Sequence, residues 1–331
     1  MKTNTALVLM ILLLIACTKE NNNRINTVAE KNNSVTIQSP DDVPLNDLGT
    51  GLYRGYTGGL YPGGANKPPT KYAADLLLIS KNIIPIDVNG EPSSEKGCIV
   101  FISMGGSTGG KNMTALIDKT KDNPLTNPYL KLMNGNQPAQ KAPLSAIADS
   151  ASDYWQHITQ ILALHKSGFK QVQVVYLETD DGVLTAKFPN RPMIIKNKIE
   201  DCLRTMKLMF TNLKVVYVLG RTRTFSNTTT PWNTEPSPYY FGWACKWAIE
   251  DQINKVPGTE YKGENKVAPI LAWGFYQWAD SLPRATDNFY WRYSETKDGL
   301  HANEAGQDTL STRFQKFLLS DIYASKWYKA K

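Results

Sequence analysis

Five short apolar segments rich in β-branched residues recur along the chain: Cys98–Met104, Tyr129–Asn134, Gln171–Leu177, Leu213–Leu219 and Val267–Trp273. A strand that is apolar on both faces needs cover on both faces, so these runs predict a sheet buried in the middle of the domain. Amphipathic helical patterns supply the cover. They fall at Tyr154–Lys166, Ile194–Phe210 and Trp243–Asn254, with a last one over Glu304–Leu319. Strands alternating with helices imply parallel pairing, because a parallel connection must cross back over the sheet. The expected fold class is therefore α/β, a three-layer α/β/α sandwich around a mainly parallel five-stranded sheet. In such sheets ligands bind beyond the carboxyl ends of the strands.

The amino-terminal part has a different character. Lys2 precedes an unbroken apolar run from Ala6 to Ile15, and Leu14-Ile15-Ala16-Cys17 follows the pattern of a bacterial lipobox. Ten residues of helix rise about 15 Å, half of a ~30 Å hydrocarbon core, so the run is too short for a spanning helix. It fits a lipoprotein signal peptide over residues 1–16, with Cys17 as the lipidated first residue of the mature chain. The expected location is the bacterial cell envelope, with the chain lipid-anchored to a membrane, the outer membrane or cell surface above all. Residues 17–47, rich in Asn, Ser, Asp and Pro, read as a tether, and 48–331 as one domain. The glycine-rich stretch Gly51–Gly64 carries aromatics between its glycines and suits a tight ordered loop.

Charge and cysteine usage narrow the partners. Lys and Arg number 37 against 30 Asp and Glu, a formal +7, but they are scattered and form no basic stripe, so a nucleic-acid partner is not expected. Cys98, Cys202 and Cys245 lack CxxC or Cys/His spacing and read as core thiols. No metal or organic cofactor is expected.

The first apolar segment runs into Gly105-Gly106-Ser107-Thr108-Gly109-Gly110-Lys111-Asn112. As a phosphate cradle this loop departs from G-x-x-x-x-G-K-[ST] at Asn112, where a hydroxyl should reach magnesium. As a plain glycine turn it would only redirect the chain. As a nucleophile turn it presents the Ser107 hydroxyl at a strand's carboxyl end, with backbone N–H groups beside it. The distant segment Lys297-Asp298-Gly299-Leu300-His301 supplies what that third reading needs. His157 and His165 fall inside a helical pattern, whereas His301 sits in a polar loop three residues after Asp298. A serine hydroxyl needs a base to take its proton, and the base needs a group that fixes its tautomer.

With these blocks the chain resembles the SGNH, or GDSL-type, serine hydrolases. Gly105-Gly106-Ser107 matches their first block and Asp298-Gly299-Leu300-His301 their last. Within that superfamily the chain is similar to a group of exported bacterial proteins. The shared pieces are Gly59–Gly64, Ser103–Ser107, Tyr154-Trp155, Glu235-Pro236, Lys246–Gln252 and Leu271–Gly274, so the resemblance spans most of 51–318. It implies a flavodoxin-like fold, with Ser107 as nucleophile, His301 as base and Asp298 as its orienting acid. It also implies an oxyanion donor at Gly135 after the second strand. Two departures stand out. Gly106 occupies the usual place of an acidic residue, and Glu178-Thr179-Asp180-Asp181 contains no asparagine at the third block, leaving Thr179 or a backbone amide to donate.

Arg223, after the fourth strand, could bind a substrate's carboxylate or hydroxyls, or lie on the surface. Trp273, Trp278, Trp291, Tyr276 and Tyr290 could form a platform for sugar rings or belong to the core. Two functions are therefore expected to compete. One is an esterase acting through an acyl-serine on a small-molecule or glycan ester such as a carbohydrate O-acetyl group. The other is a glycan-binding or scaffolding lipoprotein on a degenerate version of the same fold.

Overall fold

The structure, a computed structural model, describes residues 42–182, 186–226 and 233–331. The expected signal peptide, Cys17 and the tether as far as residue 41 lie outside the described residues. No helix among the described residues is long and apolar enough to cross a membrane.

A sheet of five parallel strands forms the centre: β1 (Ile99–Gly105), β2 (Leu130–Asn134), β3 (Val172–Glu178), β4 (Val215–Val218) and β5 (Ile270–Trp273), in the order β2-β1-β3-β4-β5. Every residue of β1, β3, β4 and β5 is buried. This is the physical reason their sequences read as continuous apolar runs and not as alternation. The longer helices are α1 (Thr70–Lys81), α2 (Ser107–Lys121), α3 (Asp153–Leu164), α4 (Asn190–Met209), α5 (Ser237–Asn254) and α6 (Glu304–Ser320). Helix α2 packs on α6 and α4 on α5, giving helices on both faces and a three-layer α/β/α sandwich.

Strand order 2-1-3-4-5 is the flavodoxin-like doubly wound arrangement, and it reverses at β1, which has β2 on one side and β3 on the other. Chains leaving β1 and β3 diverge there and open a crevice at their carboxyl ends, where Gly105 pairs with Glu178. Helix α6 is tied to this place from below. Leu310, Phe314 and Leu318 recur at i, i+4 and i+8 and are all buried. The Phe314 ring meets Phe101 of β1 at 6.2 Å and Tyr176 of β3 at 5.4 Å, edge to face. At its start Asn303 caps the helix by accepting from the Gly306 N–H at 3.0 Å.

The tether ends earlier than its composition suggests. Leu45 is fully buried, and the Asp47 carboxylate accepts the N–H groups of Ala285 and Thr286 at 2.7 and 3.0 Å. Residues 42–47 therefore belong to the packed domain, with the Asn46 and Asp47 side chains committed to Ala285 and Thr286. The Gly51–Gly64 stretch is ordered, as a small hairpin (Leu52–Tyr53 with Tyr56–Thr57) and a single 3-10 turn. Gly59 has φ +73°, and a Cβ there would lie 2.3 Å from the Gly64 backbone.

Candidate active site

Strand β1 ends at Gly105, with φ +129°, where a Cβ would stand 2.1 Å from the Glu178 carbonyl oxygen. Only glycine lets the strand end flush against β3. The following peptide groups are then hydrogen-bonded one by one. Gly105 N–H donates to the Tyr154 hydroxyl at 3.0 Å and Gly106 N–H to the Glu178 carbonyl at 2.9 Å. Gln137 N–H donates to the Gly105 carbonyl and Asn136 Nδ2 to the Gly106 carbonyl, at 2.9 and 2.8 Å.

Ser107 is the first residue of α2. The helix begins inside a segment that reads as a glycine loop, and its glycines have a packing cause. A Cβ on Gly110 would come within 2.9 Å of Asn136, and one on Gly109 within 3.1 Å of Glu178. The first N–H groups of a helix have no intrahelical acceptor, and the residues that carry them here, Ser107 and Thr108, line a cleft.

Ser107 Oγ lies 2.9 Å from His301 Nε2, and His301 Nδ1 lies 2.8 Å from Asp298 Oδ2. A carboxylate accepts and does not donate, so Nδ1 carries the proton and Nε2 presents its lone pair to the serine hydroxyl. Asp298 Oδ1 also accepts the backbone N–H groups of His301 and Leu300 at 2.7 and 3.0 Å. Partial burial opposes ionisation of this carboxyl, but the His301 backbone, its imidazole and the Leu300 N–H together outweigh it and hold its pKa below the usual carboxylate range. The loop turns at Gly299, φ +81°. The Gly299 carbonyl accepts Phe225 N–H at 2.7 Å and Thr224 Oγ1–H at 3.1 Å.

These groups open on a cleft of about 560 Å³. Pro138, Ala139, Pro143 and Leu300 give it an apolar wall, and Thr179, Asp180 and Arg221 a polar one. The acidic stretch after β3 is electrostatically matched. Asp180 is paired with Arg191 at 3.0 Å and faces Arg221 at 3.6 Å, while Asp181 accepts from Ser145 and meets Lys198 at 2.5 Å. Glu178 turns inward to Gln277 at 2.7 Å and to the Tyr176 hydroxyl. The Asp180 and Asp181 carboxylates are thus each matched by a cation, whereas Glu178 is held by neutral donors.

Four expectations are corrected. The Gly135 N–H donates to the Ser103 carbonyl at 2.9 Å, inside the sheet, so it cannot serve an oxyanion. The Thr179 hydroxyl donates to the Ala142 carbonyl at 2.8 Å, although the residue lines the cleft. Arg223 is buried against Asp280, with its guanidinium over the Phe225 ring, and does not border the cleft. Arg221, two residues earlier, does. Trp273 is a core residue whose indole donates to the Leu60 carbonyl at 2.8 Å; Trp278, Trp291 and Tyr276 are buried as well, Tyr290 lies partly buried under Arg292, and none of these five lines the cleft. His157 lies half-buried in α3 and His165 caps its end. Cys98, Cys202 and Cys245 are buried free thiols.

Sequence reasoning gives Asn136 no role and names Tyr154 only among the shared pieces, yet both hold the serine turn. Tyr154 donates to the Gly135 carbonyl at 3.0 Å while accepting from Gly105. The available signal was the asparagine pair Asn134-Gly135-Asn136 immediately after a strand.

No family model matches the sequence, and no curated protein matches it. Among solved structures the chain is similar to a Bacteroides fragilis protein provisionally described as an acylhydrolase. The two share 11% identity with a TM-score of 0.37, over 78% of this chain and 100% of that one. A likeness of that size carries no functional weight.

Proposed function

We propose that the domain is an SGNH-type serine hydrolase that cleaves an ester bond through an acyl-serine intermediate. The observation that carries this reading is the continuous relay from Ser107 Oγ to His301 Nε2 and from Nδ1 to Asp298, opening on a cleft with helix N–H groups beside the serine. Ser107 Oγ forms a bond to the ester carbonyl carbon as its proton passes to His301 Nε2. The oxyanion develops toward the N–H groups of Ser107 and Thr108, which take the part expected of Gly135 and Thr179. Collapse breaks the bond to the leaving oxygen, which takes the proton from Nε2. Water then repeats the sequence, losing a proton to His301 and releasing the acid and the free serine. Asp298 keeps the imidazole in the required tautomer throughout.

The substrate class proposed is an acyl ester on a carbohydrate, an acetyl ester foremost, because the apolar wall suits a short acyl group and the polar side suits hydroxyls. Attachment of the mature chain to a membrane through Cys17 belongs to the same proposal. The first test is reaction of the full chain with a fluorophosphonate probe and a panel of small esters. Labelling and turnover that vanish in Ser107→Ala are expected. Absence of both, with glycan binding that ignores Ser107→Ala, would replace the enzyme by the binding module. The anchor is tested separately, by loss of fatty-acid incorporation in Cys17→Ser.

A further inference from the structure

Glu235 is a partly exposed residue whose carboxyl group is buried. Oε1 accepts the Thr224 N–H at 3.0 Å and the Trp278 indole N–H at 3.1 Å, and Oε2 accepts the Tyr239 N–H at 3.4 Å. Burial pushes its pKa up to about 7, against the pull of those donors and of Arg223, with Asp42 adding to the rise.

What the carboxyl holds is the segment that holds the histidine loop. Thr224 Oγ1–H and Phe225 N–H both donate to the Gly299 carbonyl, at 3.1 and 2.7 Å. The Ser226 N–H donates back to Thr224 Oγ1 at 3.1 Å, so that hydroxyl is oriented as well. The contact is also close in the steric sense, since a Cβ on Gly299 would lie 3.0 Å from the backbone of Phe225 and Ser226. Asp298 is half exposed and His301 a quarter exposed, so packing alone does little to fix them. Among the described residues, the hydrogen bonds from Thr224 and Phe225 to this loop converge on the Gly299 carbonyl, between Asp298 and His301 in sequence.

We infer that Glu235 is a positioning residue for the Asp298–His301 loop, acting through Thr224 and Phe225. It touches neither the substrate nor the reacting atoms. The inference rests on the hydrolase reading for its kinetic test, and a second readout is independent of that reading. Glu235→Ala removes the acceptor of the Thr224 N–H and is expected to lower kcat at least about tenfold with KM within about twofold. Glu235→Gln keeps an oxygen for the same two donors and should stay within about threefold of wild type. Thr224→Val removes the hydroxyl bond to Gly299 and should lower kcat as well. The Glu235→Ala/Thr224→Val double variant should then fall no more than about twofold below the worse single variant, because both changes cut one chain of contacts.

The independent readout is the low-field proton resonance of His301 Nδ1–H facing Asp298. It should shift or broaden in Glu235→Ala and Thr224→Val and persist in Glu235→Gln. Should the wild-type protein neither turn over esters nor take the fluorophosphonate label, the hydrolase reading fails, and the resonance alone judges the positioning role. A folded Thr224→Val protein with wild-type kcat and an unmoved resonance overturns the inference, even where Glu235→Ala does not fold. A folded Glu235→Ala protein that behaves as wild type does so too.

Discussion

The carboxyl edge of the sheet is open at β1 and β3 and filled at β4 and β5. Beyond β1 and β3 the chain leaves in opposite directions, and the crevice holds Ser107, Thr179 and His301. Beyond β4 and β5 the same edge is packed with Arg223 on Asp280, Trp273 on the Leu60 carbonyl, and buried Trp278 and Tyr276. Both ends carry residues that look chemically useful in the sequence. Among the described residues the space for a ligand lies at the reversal of strand order, with Arg221 reaching it from the β4 side, whereas Arg223 and Trp273 are part of the wall.

The sharpest test of this difference is Ser107→Ala or His301→Ala, either of which should lower turnover by about 10⁴–10⁶ with the melting temperature nearly unchanged. Loss of folding in these variants would make the open end structural after all. Next comes Asp298→Asn, expected to cost about 10²–10⁴ in kcat, since an amide admits the wrong imidazole tautomer. Because the Asp298 carboxyl is held below the usual carboxylate range, it keeps its charge to lower pH than an ordinary carboxyl, and Asp298→Asn should change the pH profile of activity; a profile left unmoved would contradict a role for that charge. At the filled end the effects should appear in stability. Trp273→Ala should cost about 3–5 kcal/mol by urea unfolding, with KM for the folded protein retained. Arg223→Ala should cost less than the ~3–5 kcal/mol typical of a wholly buried pair, because Asp280 is a quarter exposed. A large KM change in either would move the ligand to the wrong end of the edge.

The smallest effect expected concerns Glu235. Its raised pKa means that the folded state holds the proton more tightly than the unfolded chain. Its contribution to stability is therefore full below the ordinary carboxyl pKa and lost as pH rises through about 7. Glu235→Gln should accordingly gain stability over wild type between pH 5 and pH 8, on the order of 1–3 kcal/mol, and an advantage that shrinks with rising pH would refute the sign.

Much of this was legible beforehand because burial on both faces writes itself as apolar runs, which located β1, β3, β4 and β5 to within a few residues, and the half-buried edge strand β2 was short and apolar enough to be found with them. Helices α3 to α6 announced themselves by period. Helix α2 did not, since Gly109 and Gly110 look like helix breakers and are there only because Asn136 and Glu178 crowd that turn. Within the site, Ser107, Asp298 and His301 could be placed because each follows from a strand end or a short spacing. Gly135, Thr179, Arg223 and Trp273 could not be judged the same way. Sequence puts them near the correct edge, but the direction of an N–H or a side chain is decided by contacts such as Gly135 with Ser103 and Thr179 with Ala142.

The exposure of the Asp298–His301 loop also bears on the fate of the acyl-enzyme. A quarter of the His301 side chain and half of the Asp298 side chain are open to solvent. In the proposed mechanism any small hydroxyl compound that diffuses in competes with water for the same base and the same carbonyl. The partition between hydrolysis and transfer to an alcohol would then follow their concentrations at the mouth of the site, making added glycerol or methanol a direct gauge of how open that side is.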